Sequence, residues 1–265
     1  MRPTSKQAYA RLMVLKYIVA HSISTPPKPV LSQVFEKWSE TERREFDSRC
    51  QARAEANVAK MHELRLWKHA SPKEQLFLQS FGSQMDAHIQ EAAAWRMECA
   101  GMIMWALGLI DRWPKIDAET SPDLLKGMLV QKVWFFSKHP KLRPPHEICS
   151  KRDLMEFWHW RVVTRRLIEE KAPFEPDENM KRAGLNTLDE IVRFAAKSGH
   201  ERGDLEETLD EDFVFRGKPF RDLSGEEYRI AASIITERHY AFNWLCGRAP
   251  GNRWDETPTQ TRWSY

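Results

Sequence analysis

The sequence predicts a mainly α-helical protein, a single-domain bundle of helices around a buried central helix at about residues 84–113. Two observations support this fold class. The run from Cys99 to Ile110 contains no charge, and a helix that is apolar around its whole circumference is typically surrounded by other helices. Helix-start signals also recur along the chain, whereas the one strand signal, near residues 213–220, predicts a small β-hairpin.

The helices can be assigned in order along the chain. The first covers residues 6–22 and a short one covers residues 30–38, with Pro26 and Pro27 between them. Four later helix starts carry a capping box, in which the side chains of the first and fourth residues each accept a hydrogen bond from the backbone N–H of the other. The boxes are Ser39–Glu42, Ser71–Glu74, Thr187–Glu190 and Ser224–Glu227. The helices after these boxes are predicted to end near His69, Gly82, Gly199 and Cys246. Further helices are expected over residues 121–139 and, capped by Ser150, over 150–171, with a loop at 172–185.

Length and composition favour one domain. The 265 residues are 42% hydrophobic and 30% charged, which is enough apolar material for a sizeable core. No Gly/Ser-rich linker divides the chain, so we expect residues 1–265 to form one α-helical domain, within which the N-terminal helices of residues 6–69 are a possible subdomain. The tail of residues 247–265 contains Trp254 and Trp263 and is expected to dock on the body of the protein.

Charge and cysteine content argue against several classes of function. The chain has 41 basic and 38 acidic residues, a net charge of +3, which is too balanced to indicate a nucleic-acid or anionic-membrane partner. The central apolar run is shorter than the about 20 residues of a membrane span. The four cysteines are far apart in sequence and form no Cys-x-x-Cys motif. Two of them, Cys99 and Cys246, lie in apolar helical runs typical of core positions, so a reducing, cytoplasmic location is expected.

Known catalytic and metal-binding motifs are missing from the sequence. It contains no His-Glu-x-x-His, Gly-x-Ser-x-Gly, Gly-x-x-x-x-Gly-Lys or Gly-x-Gly-x-x-Gly. Glu156-x-x-His159 is one carboxylate–histidine pair, but a ferritin-like di-iron site needs two such pairs. His146-x-x-Cys149 lacks a second pair of ligands at a useful spacing. We therefore expect neither a metal site nor a cofactor.

Three arginines fall on otherwise apolar helix faces. They are Arg96, Arg161 and Arg238, and a buried arginine needs a partner because an isolated buried charge is very costly. The candidate acceptors are Glu98, Asp153, Glu156 and Glu237. Residues two positions apart point about 200° away from each other on a helix, so Arg96 and Glu98 must find partners on other helices. We expect Arg238 to contact Glu98 directly or through one intermediary.

These charges define a candidate polar cluster with two possible roles. Its members are Arg96, Glu98, Asp153, Arg161, Glu237, Arg238 and His239. One role is structural, an ion-pair network that fixes the register of the helices. The other is functional, a polar pocket for an anionic or carboxylate ligand. In that second case His239, beside Glu237, is a candidate general base, although a histidine in an apolar helix is more often a hydrogen-bonded core residue.

Three groups of segments resemble a known family. They are Trp95-Arg96-x-Glu98 with Trp105-Ala106-Leu107-Gly108; Glu147-Ile148 with Arg152-Asp153-Leu154 and Trp158; and Glu237-Arg238-His239-x-Ala241-x-Asn243-Trp244-Leu245 with Trp254-Asp255. Together they resemble the bacterial family catalogued as "domain of unknown function 4272", over roughly Ala8 to Thr261. The resemblance implies a mostly helical, soluble bacterial protein, and it implies no activity because the family has none assigned.

Three classes of function are compatible with these features. The first is a non-enzymatic protein-interaction module, such as an immunity or accessory protein of a toxin or secretion system, which would dock another protein on the charged helix at 39–69. The second is an enzyme or small-anion-binding protein that uses the Arg/Glu/His cluster. The third, nucleic-acid binding, is disfavoured by the balanced charge. A water-accessible cleft beside the cluster would favour the second class, and a sealed core would disfavour it. The sequence does not indicate an oligomeric state.

Overall fold

A computed structural model describes residues 1–121, 123–124 and 141–260. Their α-helices are, in chain order, α1 (Ser5–Ile23), α2 (Lys28–Phe35), α3 (Glu40–Glu63), α4 (Pro72–Gln79), α5 (Ala87–Ala106), α6 (Pro145–Glu169), α7 (Glu178–Arg182), α8 (Leu188–Glu201) and α9 (Gly225–Leu245). Three short strands, β1 (Thr208–Leu209), β2 (Asp212–Phe215) and β3 (Lys218–Pro219), lie between α8 and α9. The predicted mainly α-helical class is confirmed. Apart from Asp123 and Leu124, the helix predicted over residues 121–139 lies almost entirely outside the described residues.

The capping boxes fix the helix starts as the sequence predicts. In α3, α4, α8 and α9 the N-cap hydroxyl accepts a hydrogen bond from the third helical N–H, and the glutamate at that position accepts one from the N-cap N–H. Thr4 and Gln7 form a further box at the start of α1. These signals are local, because each needs only four consecutive residues, and this is why the sequence places them correctly.

Some predicted helix boundaries are wrong. Helix α5 ends at Ala106, well before residue 113, because Gly108 adopts a left-handed φ of 66° just beyond the helix end. Helix α3 ends at Glu63 instead of near His69, and a separate 3-10 turn covers Trp67–His69.

The second half of the chain contains further differences. Helix α6 begins at Pro145, whose fixed φ suits the first helical position, so the predicted cap Ser150 lies inside the helix. Helix α7 lies in the predicted loop at 172–185 and is capped by Asp177. The hairpin near 213–220 is present as β2 and β3, joined by Arg216 and Gly217, which both have positive φ. It gains β1 as a third antiparallel strand, in the order β1-β2-β3.

Helix α5 lies at the centre of the main core. It packs along α1 and along α9, and α9 packs along α6. Every residue from Cys99 to Leu107 is buried, so this part of the uncharged run is surrounded as predicted. Gly101 is required here because a Cβ atom would lie 2.7 Å from the Thr120 side chain. The loop after α5, residues 107–121, therefore folds back against the helix.

A smaller hydrophobic cluster lies at the other side of α1. It combines residues of α1, α3, α4 and the start of α5, among them Val14, Ile18, Met61, Phe77 and Leu78. Because α1 and α5 contribute to both hydrophobic clusters, they connect the N-terminal helices to the main core. None of the helices in the described part of the chain combines the length and the apolar character that crossing a bilayer requires.

The tail docks on the body as far as residue 260. Trp254 is 3% exposed and its ring lies 5.4 Å from that of Trp244 and 4.9 Å from that of Tyr240, measured between centroids. The Tyr240 hydroxyl donates a hydrogen bond to the Trp254 carbonyl oxygen, and the Arg11 guanidinium lies 4.7 Å from the indole. Trp254 is thus packed against α9 and α1, whereas Trp263 lies outside the described residues.

Deleting residues 250–265 is expected to lower the melting temperature by about 3–10 °C. Burial of a large apolar side chain such as Trp254 stabilises the protein by about 1.5–3 kcal/mol, and that stability would be lost. Thermal unfolding followed by circular dichroism checks this. A shorter deletion, of residues 261–265, keeps Trp254. The difference in melting temperature between the two deletions therefore measures what residues 250–260, including Trp254, contribute to stability. Identical melting curves for the longer deletion and the full chain would show that the docked tail adds no stability.

Candidate functional site

The predicted contact between Arg238 and Glu98 is present and fully buried. Arg238 on α9 is 0% exposed. Its Nε donates to Glu98 Oε2 at 2.8 Å, and its Nη2 lies 2.7 Å from the same oxygen. Burial lowers the pKa of Arg238 and the Glu98 carboxylate opposes that shift. The pair joins α5 directly to α9, as expected for an arginine on an apolar helix face and a carboxylate without a partner on its own helix.

The remaining hydrogen-bonding positions of this pair hold the loop after α5. Arg238 donates to the carbonyl oxygens of Lys115 at 2.7 Å and Ala118 at 2.6 Å. Glu98 accepts hydrogen bonds from the Thr120 backbone N–H at 2.7 Å and from its hydroxyl at 2.8 Å. Each guanidinium nitrogen and each carboxylate oxygen therefore has a partner within the chain. The pair acts as a clamp on residues 114–120 and leaves no position for a ligand.

Arg161 pairs with a residue that was not among the acceptors predicted from the sequence. Its Nε and Nη2 donate to the two carboxylate oxygens of Asp212, both at 2.7 Å, and both side chains are buried. Asp212 begins β2 and also accepts from the backbone N–H of Arg221 at 2.9 Å. Burial raises the pKa of Asp212. The hydrogen bonds from Arg161 and from the backbone N–H groups of Arg221 and Phe213 outweigh this effect and hold the pKa below its ordinary value. This ion pair fixes the small sheet against α6.

Arg96 and Glu237 form a third, less enclosed pair between α5 and α9. Arg96 Nη1 lies 3.0 Å from Glu237 Oε2, with side chains 24% and 16% exposed, so this pair is only partly buried. Its guanidinium extends over the Tyr240 ring, 4.6 Å from the centroid. The Cys99 thiol lies 3.0 Å from the same Glu237 oxygen. Burial, reinforced by this carboxylate, raises the pKa of Cys99 well above its ordinary value, so Cys99 stays a protonated thiol.

Asp153 does not belong to the cluster. Its side chain is 69% exposed and forms an ion pair with the neighbouring Arg152 at 2.7 Å. On α6 it lies on the solvent side, whereas the buried carboxylate of this helix is Glu156, which also pairs with Arg152. The sequence prediction that Asp153 belongs to the cluster is wrong. Asp153 and Glu156 are three positions apart and lie close together on the helix surface, so the sequence pattern did not show that only Glu156 faces inward.

His239 is buried against a second histidine. Its ring stacks on that of His159, with centroids 4.6 Å apart and planes at 25°. The Asn243 amide nitrogen lies 2.9 Å from His239 Nε2, which accepts from it, while Asn243 Oδ1 accepts from Arg152 Nε at 3.1 Å. Burial lowers the pKa of His159 to about 4 and that of His239 to about 3, so both rings are neutral at pH 7. A fully buried His239 cannot reach a substrate proton as a general base.

The predicted cluster is therefore a set of separate ion pairs. Arg238–Glu98 holds the loop after α5, Arg161–Asp212 holds the small sheet against α6, and Arg96–Glu237 joins α5 to α9. Sequence reasoning missed Asp212, Arg152 and Asn243, although Arg152 and Asn243 both lie in the segments that carried the family resemblance. It considered His159 only as half of a possible metal-binding pair, not as the partner of His239. Among the residues that the structure describes, no three His, Cys, Asp or Glu side chains are grouped closely enough to hold a metal ion.

Comparison with known proteins places the chain in a family. Residues 46–183, just over half of the chain, match the family described as Domain of unknown function (DUF4272). The chain belongs to the DUF4272 family. In this DUF4272 protein the match starts within α3, ends just after α7, and includes Arg96, Glu98 and Arg161, while Asp212 and Arg238 lie beyond it. The match is shorter than the resemblance over Ala8 to Thr261. No curated protein and no solved structure matches the chain.

Proposed function

We propose that this DUF4272 protein is a bacterial, cytoplasmic protein-interaction module without enzymatic activity, such as an immunity or accessory protein of a toxin or secretion system. The enclosure of its charged side chains supports this proposal. Arg238, Glu98, Arg161 and Asp212 are all buried, and their ion pairs hold segments of the chain itself. The alternative, an enzyme or small-anion-binding protein that uses the Arg/Glu/His cluster, has less support because Glu98, Arg238 and His239 are buried. Arg96 and Glu237 are partly exposed, but they pair with each other.

Helix α3 offers a large surface for a partner. It contains 24 residues, of which only Cys50, Ala54 and Met61 are buried, and it is about 36 Å long at 1.5 Å per residue. The rest of the helix presents acidic and basic side chains to solvent. This helix is the docking face that the sequence predicts. Charges of both signs would contribute specificity more than affinity.

The observation that best supports a docking role is an aromatic cluster where α2 and α3 meet. Phe35, Trp38 and Phe46 contact one another with ring centroids 5.5–5.7 Å apart. The three are partly exposed, and neither hydrophobic core contains them. The Arg43 guanidinium lies 5.8 Å from the Phe35 ring. Tryptophan, other aromatic residues and arginine are the side chains that dominate binding hot spots, so we assign the partner-binding surface to this α2–α3 face, residues Phe35, Trp38, Arg43 and Phe46.

Affinity capture of the tagged protein from its native host is expected to recover one stoichiometric protein partner. Trp38→Ala should weaken that complex by roughly 30-fold or more, because truncating a hot-spot tryptophan costs about 2 kcal/mol or more. Mass spectrometry identifies the partner, and titration of the purified pair measures the change.

Phe194→Ala is the matched control for this experiment. Phe194 is an exposed aromatic residue on α8, outside the α2–α3 face, so its removal should leave binding unchanged. Circular dichroism establishes that both variants retain their helices. The proposal fails if no protein is recovered in stoichiometric amount, or if the Trp38→Ala variant binds as tightly as the wild type.

A further inference from the structure

Two cysteines that are far apart in sequence meet in the fold. Cys149 lies in the second turn of α6 and Cys246 caps the C-terminus of α9. Their sulfur atoms are 3.1 Å apart, about 1 Å longer than a disulfide bond. Both residues are partly exposed, so Cys246 is not the enclosed core residue that the sequence predicted. Two accessible thiols at this distance need only small side-chain rotations to become bonded.

The thiol pair lies at the wall of a mostly apolar cavity that also has basic residues in its lining. The cavity has a volume of about 470 Å³, and Arg2, Lys141 and Arg143 contribute to its lining together with both cysteines. Arg143 donates to backbone carbonyl oxygens, among them that of Trp105 at 2.8 Å. Arg2 instead donates to Cys149 Sγ at 3.4 Å. A small anionic molecule that enters the cavity therefore meets positive charge beside a thiol.

The surroundings of the two thiols give them different roles. The Arg2 guanidinium lies where the negative charge of a Cys149 thiolate would form, which favours Cys149 as the attacking sulfur. Burial, followed by hydrogen bonding to Cys149, raises the pKa of Cys246 to about 12. Cys246 therefore stays protonated at first. The contribution from Cys149 disappears once that sulfur is engaged in another bond, whereas the larger contribution from burial remains. Cys246 is placed to act second because its sulfur lies 3.1 Å from Cys149 Sγ.

We propose that Cys149 and Cys246 form a reversible intramolecular disulfide by exchange with a small anionic disulfide, for which glutathione disulfide is the probe. The Cys149 thiolate attacks one glutathione sulfur, and the released glutathione thiolate takes up the proton that Cys149 lost. Cys246 then gives up its proton and attacks Cys149 Sγ, displacing the second glutathione as a thiol. Two protein thiols are oxidised and one glutathione disulfide is reduced to two glutathione molecules.

The bond would connect the start of α6 to the end of α9. The N-terminal segment packs beside it, since a Cβ on Gly247 would lie 2.8 Å from the backbone of Met1 and Arg2. The positions of the two cysteines differ by 97 in the chain, and a cross-link across so long a loop restricts the unfolded chain strongly. Oxidation is therefore expected to raise the melting temperature by about 5–10 °C.

The test uses the full-length reduced protein incubated with glutathione disulfide. After the remaining thiols are alkylated, peptide mass spectrometry should find a peptide cross-linked between Cys149 and Cys246, with Cys50 and Cys99 unoxidised, and dithiothreitol should reverse the bond. The melting temperature should rise with the cross-link. The proposal is overturned if both thiols stay free under conditions that fully oxidise a free dithiol, or if the bond joins other cysteines.

Variants test the order of attack. Cys246→Ser should accumulate glutathione on Cys149, because the second step is removed, whereas Cys149→Ser should gain neither a cross-link nor an adduct. Arg2→Gln should slow the first step several-fold. Cys50→Ser is the control and should cross-link like the wild type. Glutathione found equally on Cys149 and Cys246 in the two single variants would contradict the assigned roles, and cross-link mapping in the wild type decides the proposal even if a variant folds poorly.

Discussion

Replacing Arg238 by alanine is expected to destabilise the protein by about 3–5 kcal/mol, because it leaves a buried carboxylate without its cation. Glu98 would lose its counter-ion inside the core, and the carbonyl oxygens of Lys115 and Ala118 would lose their donors. Equilibrium unfolding in urea at pH 7 measures the change. The same experiment on Glu98→Gln should also show a loss, since the buried guanidinium is then without a full negative charge.

The double variant distinguishes a direct contact from two independent effects. Arg238→Ala with Glu98→Gln should cost less than the sum of the single changes, by about 0.5–3 kcal/mol, because residues in one network are not additive. Arg229 and Glu91 supply the matched control. They form an exposed ion pair between the same two helices, so removing either should cost less than about 1 kcal/mol.

Two outcomes would change this interpretation. Simple addition of the Arg238→Ala and Glu98→Gln costs would mean that the residues act independently, contrary to the geometry. Unchanged stability of Arg238→Ala combined with lost ligand or partner binding would identify a functional site in place of a structural clamp.

Mild acid is expected to destabilise the protein through His159 and His239. Both histidines have a lower pKa in the folded state, about 4 and about 3, than the ordinary value of 6.5. Below pH 6.5 the unfolded chain therefore binds protons that the folded chain does not, and stability falls as the pH decreases toward 4. Between pH 8 and pH 5 the two rings together should lower the free energy of unfolding by about 4 kcal/mol.

Urea unfolding at several pH values between 5 and 8 tests this dependence. His159→Phe keeps an aromatic ring stacked on His239 and removes one titrating group, so the fall in stability should shrink to roughly half. His146→Gln is the control because His146 is exposed on the same helix, and its profile should match the wild type. A flat wild-type profile, or a slope that His159→Phe leaves unchanged, would rule out the stacked pair as the source.

Helix starts and the central helix follow from the sequence because their causes are local. A capping box is complete within four residues, and the uncharged run from Cys99 to Ile110 shows its burial in its own composition. The contact of Arg238 with Glu98 was predictable for a related reason. Helical periodicity placed Arg238 on an apolar face, and Glu98 was a carboxylate at the start of the uncharged run that could not pair with Arg96 on its own helix.

The partners that the sequence could not supply come from other elements. Asp212 is 51 positions from Arg161 and lies on a strand, whereas every acceptor nominated from the sequence lay on a helix. The stack of His159 on His239 and the approach of Cys149 to Cys246 depend on how α6 lies against α9. A shift of one helical turn, about 5.4 Å, would separate both pairs. The sequence by itself therefore determined the capped helix starts, the family and the burial of Arg161 and Arg238. The partners of these charges were decided by tertiary packing, because side-chain register between elements is a property of the packed core and not of any local segment.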